Sequence, residues 1–167
     1  PAYRQVNPVG ETPVLELDSG VRIAETAAIC EYLEDRFPDP ALIGATPEAR
    51  AVTRMWWRRA DLIVVQPMTT GFRGAEGLPL FQGRVRCLPQ AADDLKQATQ
   101  EGLAWFEAQL GDKPYIAGDA LTVADLQLFC FVEFGDKVGQ GLNPAHLRLA
   151  AWRERIAARP SAALPWL

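Results

Sequence analysis

One hairpin carries all the β-structure that this sequence promises, and a two-stranded sheet is marginal in water until further strands or helices cover it. Val14, Leu15 and Leu17 form a short apolar strand, Asp18-Ser19-Gly20 makes a turn with glycine free to take positive φ, and Val21 and Ile23 begin the return. The rest of that sheet has to come from elsewhere, and everything beyond residue 46 reads as helix.

Thr12-Pro13 stands at the strand entrance. Proline cannot donate to a ladder, so the residue before it keeps its N–H and C=O for another partner, and an extended peptide could pair there. X-Pro bonds are the ones that adopt cis at little cost, and a cis bond would turn the Thr12 backbone into a cleft. The sequence leaves the isomer open. After the hairpin, Ile29, Leu33 and Phe37 are spaced by four and mark one helical face, which puts the helix start near Glu25. A helix start offers unpaired N–H groups and partial positive charge. The Thr26 N–H and hydroxyl therefore suit a carboxylate, and Glu25 beside them suits an ammonium. Together they would hold an α-amino acid zwitterion.

The order Asn7-Pro8-x-Gly10-x-x-Pro13-Val14-Leu15, a hairpin, then Glu25-Thr26-x-Ala28-Ile29-x-x-Tyr32-Leu33 resembles the second half of the thioredoxin-like domain of glutathione transferases of the cytosolic, bacterial type. The resemblance implies an α/β thioredoxin-like domain, present here as hairpin plus helix, followed by an all-α helical bundle. It implies glutathione as co-substrate, with the Thr12 backbone before Pro13 pairing the cysteinyl part, and Glu25 and Thr26 holding the γ-glutamyl end. One position departs from the family pattern: Glu11 stands where many members carry Lys or Gln near the glycyl carboxylate, which an acid would repel. In the family a β-α-β unit precedes this point and holds the Tyr, Ser or Cys that donates to the thiol. That unit is expected ahead of Pro1, so no catalytic residue is assigned here. A homodimer, a small electrophilic or hydrophobic second substrate and a cytoplasmic location are further expectations of the resemblance. A non-catalytic module of the same fold, used for dimerisation or docking, is the alternative.

With 167 residues, 49% of them hydrophobic, the chain can bury a substantial core. A net charge of −4 and the lack of a long basic run argue against a nucleic-acid surface. No stretch approaches the roughly 20 apolar residues that span a bilayer. The three cysteines, Cys30, Cys87 and Cys130, show no C-x-x-C spacing, and Cys30 and Cys130 fall in apolar helical patterns as small buried hydrophobes. No metal motif and no phosphate loop occurs.

The expected organisation is a glutathione-binding segment over 1–37, a linker over 38–46 rich in proline and small residues, and a helical domain over 47–167. Thr46-Pro47-Glu48 is a helix start, and Val52, Met55, Trp56, Leu62 and Ile63 follow at helical spacing up to a kink or break near Pro67. Of the adjacent Trp56 and Trp57, one should pack inward and the other reach a cleft or neighbour. Tyr3 reads as a packing or surface residue, while Phe72 and Arg73 come near the second-substrate end of the helix. Leu95, Leu103, Phe106 and Leu110 mark another helix that Gly111-Asp112 stops. Thr122 and Asp125 have capping-box spacing ahead of a helix apolar nearly all round, and a structural cap explains them better than catalysis. Asn143-Pro144 opens a last helix, and His146 at its start reads as a surface residue.

Overall fold

A computed structural model describes residues 2–162 of the chain. Strands β1 (Val14–Glu16) and β2 (Arg22–Ala24) pair antiparallel, with Val14 opposite Ala24 and Glu16 opposite Arg22. The Arg22 Nε donates to Glu16 Oε2 at 2.5 Å across the ladder. Gly20 takes φ +83° in the turn, as a residue without Cβ can. These two strands are the whole sheet among the described residues.

Helix α1 runs Thr26–Arg36, but its apolar stripe is not its buried face. Leu33 is 39% exposed and Phe37 67% exposed, whereas Glu34 is buried. The reason lies in the segment that follows. The Glu34 carboxylate accepts the N–H groups of Ile43 at 2.7 Å, Leu42 at 3.0 Å and Gly44 at 3.3 Å. The Leu42 carbonyl then takes the Val123 N–H at 3.0 Å, and Ile43 enters the core. Residues 38–46 therefore lack regular structure yet are pinned at Leu42, Ile43 and Gly44, and the Asp39-Pro40 bond ahead of these is cis. Glu34→Ala would orphan three backbone donors, so it should cost about 2 to 3 kcal/mol in a urea titration. Glu34→Gln, which keeps one acceptor oxygen, should cost less. A loss under about 0.5 kcal/mol for the alanine variant, the range of an ordinary surface change, would refute this pinning role.

The long helix begins at Thr46, whose side chain accepts the Ala49 N–H at 3.2 Å. It comprises α2 (Pro47–Ala60), a π-helical stretch over Asp61–Val65, and α3 (Gln66–Gly74). Pro67 has no N–H to give the Ile63 carbonyl four residues back, and its ring would strike that carbonyl in a regular helix. Widening the preceding turn, with the Gln66 N–H reaching back to the Asp61 carbonyl, lets the helix continue where a kink or break was expected. The buried face of α2 is Thr53, Trp56, Trp57 and Ala60; Val52 and Met55, which follow the same helical spacing, are exposed.

A short helix α4 (Leu78–Phe81) leads to α5 (Ala92–Leu110), which Gly111 ends at φ +55°. Helices α6 (Val123–Lys137) and α7 (Leu147–Ala157) complete the bundle. Its core joins Trp56, Val64 and Met68 from the long helix to Phe106, Leu128 and Trp152. Helix α6 is not buried all round, because one side of it faces a cleft and Cys130 is exposed there. His146 is buried, contrary to the surface reading, and its Nδ1 meets no partner among the described residues. The turn that starts α7 is fastened by Glu107, whose carboxylate accepts the Leu149 N–H at 2.8 Å and the Arg148 N–H at 3.1 Å.

Candidate functional site

One step beyond the Val14–Ala24 pair, the two strands carry Pro13 and Glu25, so the register itself brings Thr12-Pro13 alongside the start of α1. The Thr12-Pro13 bond is cis. Glu25 holds φ +67° and ψ +118°, and no other described non-glycine residue has positive φ. For a side-chain-bearing residue this is a sparsely populated conformation, costing about 1 to 3 kcal/mol, and such residues collect at ligand clamps. Its carbonyl still opens the helix by accepting the Ile29 N–H at 3.0 Å. Thr12, Glu25 and Thr26 are exposed, and no described residue occupies their side chains with a hydrogen bond or ion pair. The four residues picked from sequence thus form one open patch of backbone edge, carboxylate, hydroxyl and helix N-terminus.

The approach to Thr12 is held from several sides. Asn7, which is buried, donates from Nδ2 to the Glu11 carbonyl at 2.7 Å, and its Oδ1 accepts the Val9 N–H at 3.2 Å. The Tyr3 hydroxyl donates to the same Glu11 carbonyl at 2.9 Å, so that phenol is committed to the loop. The Glu11 carboxylate pairs with Arg73 Nη2 at 3.1 Å. Sequence reasoning saw Glu11 as a lone repulsive charge. A partner 62 residues away leaves no local signal, so the pairing could not have been read from the motif.

A cleft of about 690 Å³ opens beside this patch between α1, the long helix and α6, with Glu25 and Thr26 on its rim. Trp57, Val65, Val123 and Phe131 give it apolar walls. Trp57 is thus the tryptophan that reaches the cleft, while Trp56 packs against Phe106 with centroids 6.2 Å apart. Charges at the mouth are matched. Arg54 donates to both Glu31 oxygens at 2.6 and 2.5 Å, and its hydrogen bond holds the Glu31 carboxyl below its usual value. Arg58 pairs with Asp61 nearby. Cys30 and Cys130 also line the cleft, and partial desolvation there pushes both thiols up, with Glu31 and Glu133 respectively adding to it. Cys30 is half-buried and Cys130 exposed, so the buried reading does not hold for Cys130. Phe72 and Arg73 do not line this cleft: Phe72 packs edge-on against Phe81 and Phe134. No group of three or more His, Cys, Asp or Glu among the described residues could hold a metal ion. No described helix is long and apolar enough to cross a membrane.

Comparison with known proteins identifies the family. Residues 1–36 match the family model for the glutathione S-transferase N-terminal domain, and residues 87–160 match that for its C-terminal domain. Glutathione S-transferase 2 of Saccharomyces cerevisiae is 33% identical over 166 residues, covering 96% of this chain and 69% of the yeast protein. Maleylacetoacetate isomerase of Pseudomonas aeruginosa is 32% identical over 169 residues, covering 96% of this chain and 73% of that enzyme. The crystal structure of a glutathione S-transferase domain-containing protein of Marinobacter aquaeolei superimposes with a TM-score of 0.90 at 34% identity, covering 97% of this chain and 79% of that one. The chain therefore belongs to the glutathione S-transferase family, and its fold is that of the family.

Proposed function

We propose that the protein is a glutathione transferase in which Thr12, Pro13, Glu25 and Thr26 bind the tripeptide. The observation that carries this is Glu25, held at an unfavourable backbone angle at the head of α1 with its carboxylate unpaired. In this reading the Thr12 backbone pairs the central amide of glutathione. Glu25 takes the γ-glutamyl ammonium, while the Thr26 N–H and hydroxyl take its carboxylate, aided by the helix dipole. A free thiol has a pKa near 8.5, so the enzyme must favour the thiolate by donating to sulfur. The sulfur then bonds to an electrophilic carbon and the displaced group leaves with the electron pair. Apolar walls in the neighbouring cleft support a hydrophobic electrophile.

The organisation that goes with this reading is a glutathione-binding segment over 1–37, a linker over 38–46 and a helical domain over 47–167. A homodimer is part of the same reading. So is a cytoplasmic location, and three free cysteines are compatible with it.

The test is retention of the full-length protein on immobilised glutathione. Glu25→Ala and Thr26→Ala should each weaken binding by about tenfold, the loss of one charge-assisted contact, with little change in melting temperature. Retention indifferent to both substitutions would rule the site out.

A further inference from the structure

Arg73 lies 62 residues from its partner Glu11, on a helix that contributes nothing to the glutathione patch, and neither the cleft nor the patch explains it. Its position is built up in steps from the bundle. Phe134 on α6 packs edge-on to Phe72 on α3, with centroids 5.2 Å apart, and Phe72 packs edge-on to Phe81 on α4 at 5.9 Å. The Arg73 guanidinium carbon lies 5.4 Å from the Phe81 ring centroid, and Nη2 reaches Glu11 Oε1 at 3.1 Å. A guanidinium backed by an aromatic ring has few rotamers left to lose, so its hydrogen bond locates the carboxylate more firmly than a free surface arginine would.

Glu11 is the residue immediately before Thr12, and its carbonyl is already held by Tyr3 and Asn7. Both its main chain and its side chain are therefore anchored, the side chain by the helical bundle. The charge matters as much as the anchor. Glutathione carries two carboxylates and one ammonium, so an unneutralised Glu11 next to the edge that receives it would repel the ligand. The pair is only partly screened, with side chains 34% and 46% exposed.

We propose that Arg73 is a positioning residue for glutathione: acting through Glu11, it fixes and neutralises the approach to the Thr12 edge, and so ties ligand affinity to the packing of α3. The inference rests on the transferase reading above.

The experiment compares full-length wild type, Arg73→Ala, Arg73→Lys and the double variant Arg73→Ala/Glu11→Gln. Glutathione affinity is read by calorimetry, and KM and kcat by conjugation to a chlorodinitrobenzene. Arg73→Ala should raise the dissociation constant and the KM for glutathione about two- to fivefold, the range of a partly exposed ion pair. The value of kcat at saturating glutathione and the melting temperature should move far less. Lysine should retain most of the affinity, and Glu11→Gln should restore it in the alanine background, because the uncompensated charge is then gone. An unchanged KM in Arg73→Ala, or a rise that Glu11→Gln fails to reverse, overturns the role. A fall in kcat and melting temperature in step with affinity makes Arg73 merely structural and overturns it too. If the wild type itself fails to bind glutathione, the transferase reading falls and this role falls with it; saturation by wild type with Arg73→Ala unmoved removes the role alone.

Discussion

Asp125→Ala should unfold the protein about 10 °C earlier than wild type, a loss of about 3 to 5 kcal/mol at roughly 2 to 4 °C for each kcal/mol in a chain of this size. Asp125 is fully buried, and its two carboxylate oxygens accept four hydrogen bonds. Oδ2 takes the Thr122 N–H at 2.9 Å and the Thr122 hydroxyl at 2.8 Å, the local part of a helix cap. Oδ1 takes the Ile116 N–H at 2.7 Å and the Trp152 indole N–H at 3.0 Å. A cap alone is worth about 1 kcal/mol. The larger figure comes from Ile116 and Trp152, whose donors have no access to water once the acceptor is removed. Asp125→Asn keeps one acceptor oxygen and should fall between wild type and alanine. Thermal and urea melts of the three proteins decide the matter; an alanine variant within about 1 kcal/mol of wild type would reduce Asp125 to a cap. Since α6 walls the cleft, glutathione retention should survive in the cold and disappear on warming before wild type loses it.

The cap was legible because its parts lie three residues apart, and the hub was not, because Ile116 and Trp152 reach Asp125 from 9 and 27 residues away. The same division runs through the whole chain. Local chemistry located the hairpin and the helix starts near Glu25 and at Pro47, and it picked out Thr12, Pro13, Glu25 and Thr26, which the strand register brings together. Periodicity failed where a helix meets something other than a uniform core. On α1 the spacing of Leu33 and Phe37 pointed to a buried face, yet the buried position belongs to Glu34, an acid whose three backbone donors come from the next segment. On α2 the helical spacing took in Val52 and Met55, but the adjacent Trp56 and Trp57 are both in the core, Trp57 lining the cleft as well, and so rotate the inner face away from them. His146 misled for a similar reason, since a polar residue at a helix start looks exposed until the packing of that start is known. The Arg73–Glu11 pair is the extreme case, a site feature assembled wholly by tertiary structure.

Gly102→Ala should destabilise the protein by about 3 kcal/mol or more, although alanine in a helix interior ordinarily gains about 1 kcal/mol over glycine. The inversion of sign traces back to Pro67. Without an N–H at position 67, the Ile63 carbonyl has no partner four residues on, and the widened turn over Asp61–Val65 carries it toward α5. A Cβ on Gly102 would land on the Ile63 oxygen, 2.8 Å from Ile63 Cγ2 and 3.1 Å from its carbonyl carbon. Real Cβ atoms essentially never approach below 3.0 Å, and the nearest obstructing atom is a backbone oxygen that cannot rotate aside. The added methyl must therefore push α5 away from the long helix, at the contact that holds Leu103 and Phe106 against Val64. The causal claim has its own test. Pro67→Ala returns an N–H that can draw the Ile63 carbonyl back into its own helix, so the double variant should lose less stability than the sum of the two single changes, by about 1 kcal/mol or more. Strict additivity in urea melts would show that the close approach is independent of the proline, and a neutral Gly102→Ala would show that the two helices were never so close.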